Sequence, residues 1–118
     1  MDEAQMKRRT KEFAKEVIRL CRRLPRNREG RLIGDQLFRA GTSVAANYRA
    51  ACRARSRAEF ASKLAIVEEE ADESIFWLEL IEEMRLSGHT TVSSLLKEAD
   101  EILAIVVSSI KTARRARK

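Results

Sequence analysis

The 118-residue sequence predicts an all-α protein, an antiparallel up-down-up-down four-helix bundle formed by one domain over residues 1–118. Three observations predict it. Apolar side chains recur at helical spacing in four separate stretches, and no stretch alternates as a half-buried strand would. One proline and four glycines leave few places for the chain to reverse. Long amphipathic helices joined by short turns pack side by side in alternating directions. A chain of this length buries a core without disulfide or metal staples.

In the first helix Phe13, Val17, Leu20 and Leu24 form the apolar stripe, and Pro25 ends it because it lacks the N–H that would continue the ladder. PRNREG is a short turn. The second helix is expected from about Arg31 to Arg53, with Ile33, Leu37, Ala40, Val44, Tyr48 and Ala51 in register. Ser56 and Glu59 read as a capping box, SRAE, that opens a third helix running to about Leu86. Its stripe is Phe60, Leu64, Val67, Ala71 and Leu78, with Ser74 in the same register. SGHTT interrupts the pattern, and Leu95, Ala99, Ile102, Val106, Ile110 and Ala113 mark the fourth helix.

FRAGTSVAANYRAACRARS, Phe38 to Ser56, could be a backbone loop for a phosphate or a helix of small residues. A phosphate loop needs a glycine-rich turn between strand and helix, followed by Lys and Ser or Thr, and none of that is present. The apolar spacing continues unbroken through Gly41, so the stretch is helix. A glycine there costs about 1 kcal/mol against alanine, which close approach of a neighbouring helix offsets.

The net charge of +6 is unevenly spread. Residues 1–58 carry 16 basic and 6 acidic side chains, residues 59–88 carry 2 and 9, and residues 89–118 carry 6 and 3. Such asymmetry concerns partners rather than fold. No apolar run approaches the roughly 20 residues that span a bilayer, and MDEAQMKRRTKEFAK lacks the apolar stretch of a signal peptide, so a cytoplasmic protein is expected. Cys21 and Cys52 form no CxxC pair and read as buried small hydrophobes.

Arg39, Ser43 and Asn47, at i, i+4 and i+8, lie beside the apolar stripe of the second helix, and Glu70 and Glu73 flank Ala71 on the third. They are expected to meet in a partly buried polar network that sets helix register. A di-metal site in such a bundle would need Glu-x-x-His pairs, whereas the only histidine, His89, lies in a turn. No nucleophile, base and oxyanion donors can be assembled either. No catalytic residue, cofactor or metal is expected. IFWLELI points apolar residues all round a helix and ILAIVV is wider than one core needs. Ile75, Phe76, Trp77, Leu80, Ile81, Ile105 and Val107 are therefore candidates for a self-association surface.

The stretch LFRAGTSVAANYRAACRARSRAEFASKLAIVEEEADESIFWLEL resembles the four-helix-bundle proteins of the intervening-sequence protein family, so called from insertions in bacterial 23S ribosomal RNA genes. Arg39, Ser43 and Asn47, then Glu59-Phe60, Lys63-Leu64, Glu70, Glu73 and Trp77-Leu78 carry the likeness. The resemblance implies a cytosolic bundle that assembles into a five-fold ring. It includes relatives that bind nucleic acid as accessories to reverse transcriptases in diversity-generating retroelements, so a reverse transcriptase enters as a partner by family analogy alone. Arg49 stands where many relatives carry an acidic residue.

In an up-down bundle the beginning of the chain, the second turn and the C-terminus share one end. Lys7, Arg8, Arg9 and Lys11 would there meet Arg53, Arg55 and Arg57, together with Arg114, Arg115, Arg117 and Lys118, against Asp2, Glu3, Glu12 and Glu59. That arrangement suits contact with RNA or DNA phosphates without base reading. Two functions follow: a homo-oligomer that binds nucleic acid, or a protein-interaction scaffold whose cations complement a helix dipole and keep the chain soluble.

Overall fold

A computed structural model describes residues 1–115 and contains four helices: α1 (Glu3–Arg23), α2 (Arg28–Ala51), α3 (Arg57–Glu83) and α4 (His89–Arg115). No strand occurs among the described residues. Helices of this size run about 32–40 Å at 1.5 Å per residue. They are joined by turns of a few residues and fit an envelope of 51 × 20 × 20 Å, so consecutive helices must lie side by side and reverse direction. The backbone of each helix runs close to those of its sequence neighbours, α4 also meets α1 along the thinnest of the four seams, and the diagonal pairs approach only through the shared core. The result is a square four-helix bundle.

The stripes read from the sequence form the core. Val17, Leu20, Leu37, Ala40, Val44, Leu64, Val67, Leu78, Ile102 and Val106 are all buried, with Phe13 and Ala99 beside them. Each fully buried Val, Leu, Ile or Phe contributes on the order of 1.5–3 kcal/mol. Met6 and Thr10 extend the α1 stripe by a further two turns, and the Thr10 hydroxyl is satisfied by donating to the Met6 carbonyl at 3.0 Å. Ser74 is buried in register and donates to the Glu70 carbonyl at 2.8 Å. Ile33 and Phe60 are only half-buried, and Gly34 and Ala61 take the inward positions beside them.

The ends of the helices differ from the sequence expectation by local chemistry. Asp2 caps α1 by accepting from the Gln5 N–H at 2.8 Å while Gln5 accepts from the Asp2 N–H, a reciprocal box. Asn27 caps α2 by accepting from the Gly30 N–H at 2.9 Å, so α2 begins at Arg28 rather than Arg31, and it ends at Ala51. Ser56 caps α3 as expected, accepting from the Glu59 N–H at 3.1 Å. Glu59 itself reaches the Arg55 N–H rather than that of Ser56. α3 stops at Glu83 rather than Leu86 because Arg85 adopts a left-handed φ of 53° and the Leu86 N–H turns back to the Ile81 carbonyl. That is a Schellman closure built without glycine.

α2 passes through Gly41 without interruption. A Cβ placed there would lie 2.8 and 2.9 Å from the two methyl groups of Val17 on α1. The small residue is therefore the means by which α1 and α2 approach. Near the opposite end, Cys21 donates to the Gly34 carbonyl at 3.4 Å and Leu24 sits against Gly34, which fixes the antiparallel register of the pair.

Candidate functional site

A groove of about 640 Å³ lies between the first turns of α1 and the last turns of α2. Lys7, Arg8 and Lys11 form one wall, Arg49 forms part of the other, and Thr42, Ala45 and Ala46 make up the rest of the lining. The spacing 42, 45, 46, 49 puts these four α2 residues on one helix face. The Thr42 hydroxyl donates to the Phe38 carbonyl at 2.7 Å, so it is engaged within the helix. None of the four cations makes an ion pair among the described residues, and no carboxylate lines the groove. The cause is the small-residue surface of α2: it leaves a channel where larger side chains would fill the seam.

The α2–α3 turn closes this end. Arg53 and Arg55 are exposed on it, and Arg57 is the first residue of α3. Arg114 and Arg115 are exposed in the last turn of α4, which runs toward the same end. Arg117 and Lys118 lie outside the described residues. Asp2 and Glu3 lie close enough to Tyr48 to raise its phenol further, after burial and Cys52. They temper the positive field there.

Arg9 departs from the expected group. It reaches away from the groove to α4, where its guanidinium meets Glu98 at 2.7 Å and Glu101 at 2.8 Å. Those bonds, the one to Glu98 foremost, hold its pKa above the ordinary arginine value, so it stays a cation. Its role is to fasten α1 to α4. Arg39 does meet Glu70 at 3.1 Å and also pairs with Glu73. Ser43 and Asn47 do not join them: the Asn47 amide donates to the Ser43 carbonyl within α2 at 2.9 Å. With the Arg39 side chain 48% exposed, the pair sits at the surface, where such a contact contributes at most about 1 kcal/mol.

The apolar candidates divide. Ile81 is fully buried and belongs to the core, because it shares the inward face with Leu78 and Ser74. Phe76 is 51% exposed and lies edge-on to Trp77, with ring centroids 4.9 Å apart. Ile75, Trp77, Leu80, Ile105 and Val107 are half-buried. Leu32, Phe38, Ile66 and Met84 are also exposed. The indole N–H of Trp77 is buried and has no acceptor among the described residues.

Both cysteines are half-buried and unpaired. Burial, helped by Asp35, pushes the Cys21 thiol up to about 11, and burial also raises Cys52. At pH 8 the Cys21 thiolate is scarcer than an ordinary thiol's by about two decades, so iodoacetamide should modify it about 100-fold more slowly, read by mass spectrometry in a Cys52→Ser background. Because the folded value lies above the unfolded one, the stability this thiol adds is intact below about pH 9. It is lost as pH rises towards 11. An ordinary alkylation rate would mean Cys21 is more open than its packing shows.

Among the described residues no group of three His, Cys, Asp or Glu could hold a metal ion, and no helix is long and apolar enough to cross a membrane. Fold and surface together define a small, basic four-helix-bundle protein with an open cationic groove between its first two helices. The chain belongs to the 23S rRNA-intervening sequence protein family, which it matches over residues 2–108. It is also similar to a crystal structure of a protein of unknown function from the S23 ribosomal protein family of Bacteroides thetaiotaomicron. That likeness has a TM-score of 0.84 and 34% identity, covering 90% of this chain and 98% of the other. Comparison with functionally curated proteins gives no match.

Proposed function

We propose that this protein is a non-catalytic homo-oligomer that binds nucleic acid through its basic end with little sequence preference. The observation that carries the reading is the convergence of Lys7, Arg8, Lys11 and Arg49 in one groove, without carboxylate partners among the described residues. Lys15, by contrast, is paired with Glu12 one turn earlier on α1. The groove cations are left available for phosphates. Lys and Arg at such a surface meet the backbone rather than base edges, which makes the contact indifferent to sequence.

Self-association is supported by the exposure of Phe76 and Ile66 on α3 and of Met84 at its C-terminal cap. A ring of five, as the family resemblance implies, would multiply a weak contact by presenting several basic ends together. Light scattering should report a mass several times the 13.5 kDa of the monomer. A monomer at all concentrations would remove that part of the reading.

Binding to unrelated RNA and DNA should be seen at low salt and weaken steeply as salt rises, since each neutralised phosphate releases counterions. Replacing Arg114, Arg115, Arg117 and Lys118 with Gln should flatten the salt slope by about 0.7–0.9 per lost phosphate contact. The control changes Arg26, Arg28 and Arg31 at the opposite end. Equal loss in both variants would mean bulk charge and not this end. If neither RNA nor DNA binds at low salt, the scaffold reading takes its place.

A further inference from the structure

The groove carries information about the strand it would take, a point that rests on the nucleic-acid reading above. We propose that the α1–α2 groove seats an unpaired nucleotide of a single-stranded nucleic acid. The base lies on the surface of Ala45, Ala46 and Thr42, and the flanking phosphates meet Lys7, Arg8 and Lys11 on one side and Arg49 on the other.

A wholly electrostatic platform for a duplex has no need of depth. A duplex keeps its bases stacked inside and offers a convex row of phosphates, which can touch the walls of a groove but not its floor. At about 640 Å³ this groove falls within the ordinary range of clefts that enclose small ligands, about 300–1,000 Å³. Lys7, Arg8 and Lys11 line it from α1, and Thr42, Ala45, Ala46 and Arg49 line it from α2, so cationic and apolar groups share one space. That is the pattern a nucleotide unit presents in reverse: a flat, largely apolar base between two anionic phosphates.

The remaining chemistry is consistent. The Thr42 hydroxyl proton is committed to the Phe38 carbonyl, so Thr42 offers no donor to a base edge. Among the described residues no aromatic ring lines the groove, so no base is favoured by stacking. Lys7 and Arg8, one residue apart on α1, with Lys11 one turn on, form a row that follows a strand. The depression at the other end of the same seam shows the contrast. It is lined by Arg22, Arg26 and Arg31 but also by Asp35, which would repel a phosphate.

The test compares a labelled oligothymidine with a duplex of the same length at low salt. Two single variants, Ala46→Leu and Arg49→Gln, are both at exposed helix positions and are checked for unchanged helicity and melting. Ala46→Leu fills the groove without altering charge and should lower single-strand affinity about 10-fold, the scale of one lost base contact, while leaving duplex affinity unchanged within about twofold. Arg49→Gln should reduce the single-strand salt slope by about 0.7. If Ala46→Leu leaves single-strand binding intact, or lowers both substrates equally, the groove is not the seat. The nucleic-acid reading would then survive on the behaviour of the C-terminal variant. If the unmodified protein binds neither substrate, that reading fails and this proposal with it.

Discussion

Gly30→Ala should lower the melting temperature by about 10 °C or more, the largest effect of any single-methyl change in this protein. Gly30 lies in the first turn of α2, directly under the reversal that follows α1. A Cβ at this position would fall 1.9 Å from the Pro25 carbonyl oxygen and 2.9 Å from its carbon. These are backbone atoms, held by the turn and by the Asn27 cap that accepts from the Gly30 N–H. They cannot rotate aside as a side chain would. The turn must open, and with it the cap and the seating of Leu24 against Gly34. The cost is about 3 kcal/mol, the upper end of ordinary overpacking. Gly88→Ala is the control: nothing lies within 4 Å of a Cβ there, and its φ is not left-handed. It should be neutral or slightly stabilising. Equal melting temperatures for the two variants would mean that the α1–α2 turn is not closed as described.

Gly41→Leu should cost about 3 kcal/mol, and Gly41→Ala less but still measurably, despite alanine's better helix propensity. The obstacle is Val17, fully buried, with both methyl groups under 3 Å from the added carbon. Valine is stiff at χ1 in a helix, so it has little freedom to turn away. The specific signature is coupling. Val17→Ala alone should destabilise by leaving a cavity, and Gly41→Ala in that background should be relieved by about 1 kcal/mol or more. An additive cycle, from urea unfolding of the four proteins, would mean that α1 and α2 do not meet at this point.

Much of this architecture is legible in the sequence because it depends on periodicity. The α4 stripe from Leu95 to Ala113 is buried throughout, and the continuity across Gly41 follows from the same spacing. Helix ends were less legible, since they depend on single side chains. Asn27 as a cap and Arg85 as a left-handed terminator give no periodic signal.

The candidate site was partly legible. Lys7, Arg8 and Lys11 stand out as a charge run, whereas Arg49, Thr42, Ala45 and Ala46 join them only once the register between α1 and α2 is known. The one available sign was their shared helix face. Arg9 looked like its neighbours because the carboxylates that claim it are some 90 positions away in the chain. Ile81 faces the core although the sequence offers it to the surface, because an all-round apolar segment does not show which of its members faces inward.

The thin seam between α1 and α4 bears on how the chain reaches this state. Contacts of α1 with α2, α2 with α3 and α3 with α4 each close across a short turn, so three successive hairpins can form without bringing distant segments together. The seam pinned by Arg9 and Glu98 joins residues 89 positions apart. Closing a loop of that size in an unstructured chain costs about 2.5 kcal/mol more than closing a five-residue turn. Once the hairpins exist, that penalty has already vanished, because they deliver α4 to α1. The topology thus has low contact order and favours rapid folding, with the ionic clasp arriving last. An interaction formed after the rate-limiting step bears mainly on how quickly the protein comes apart. The clasp therefore lengthens the lifetime of the native state more than it hastens its formation.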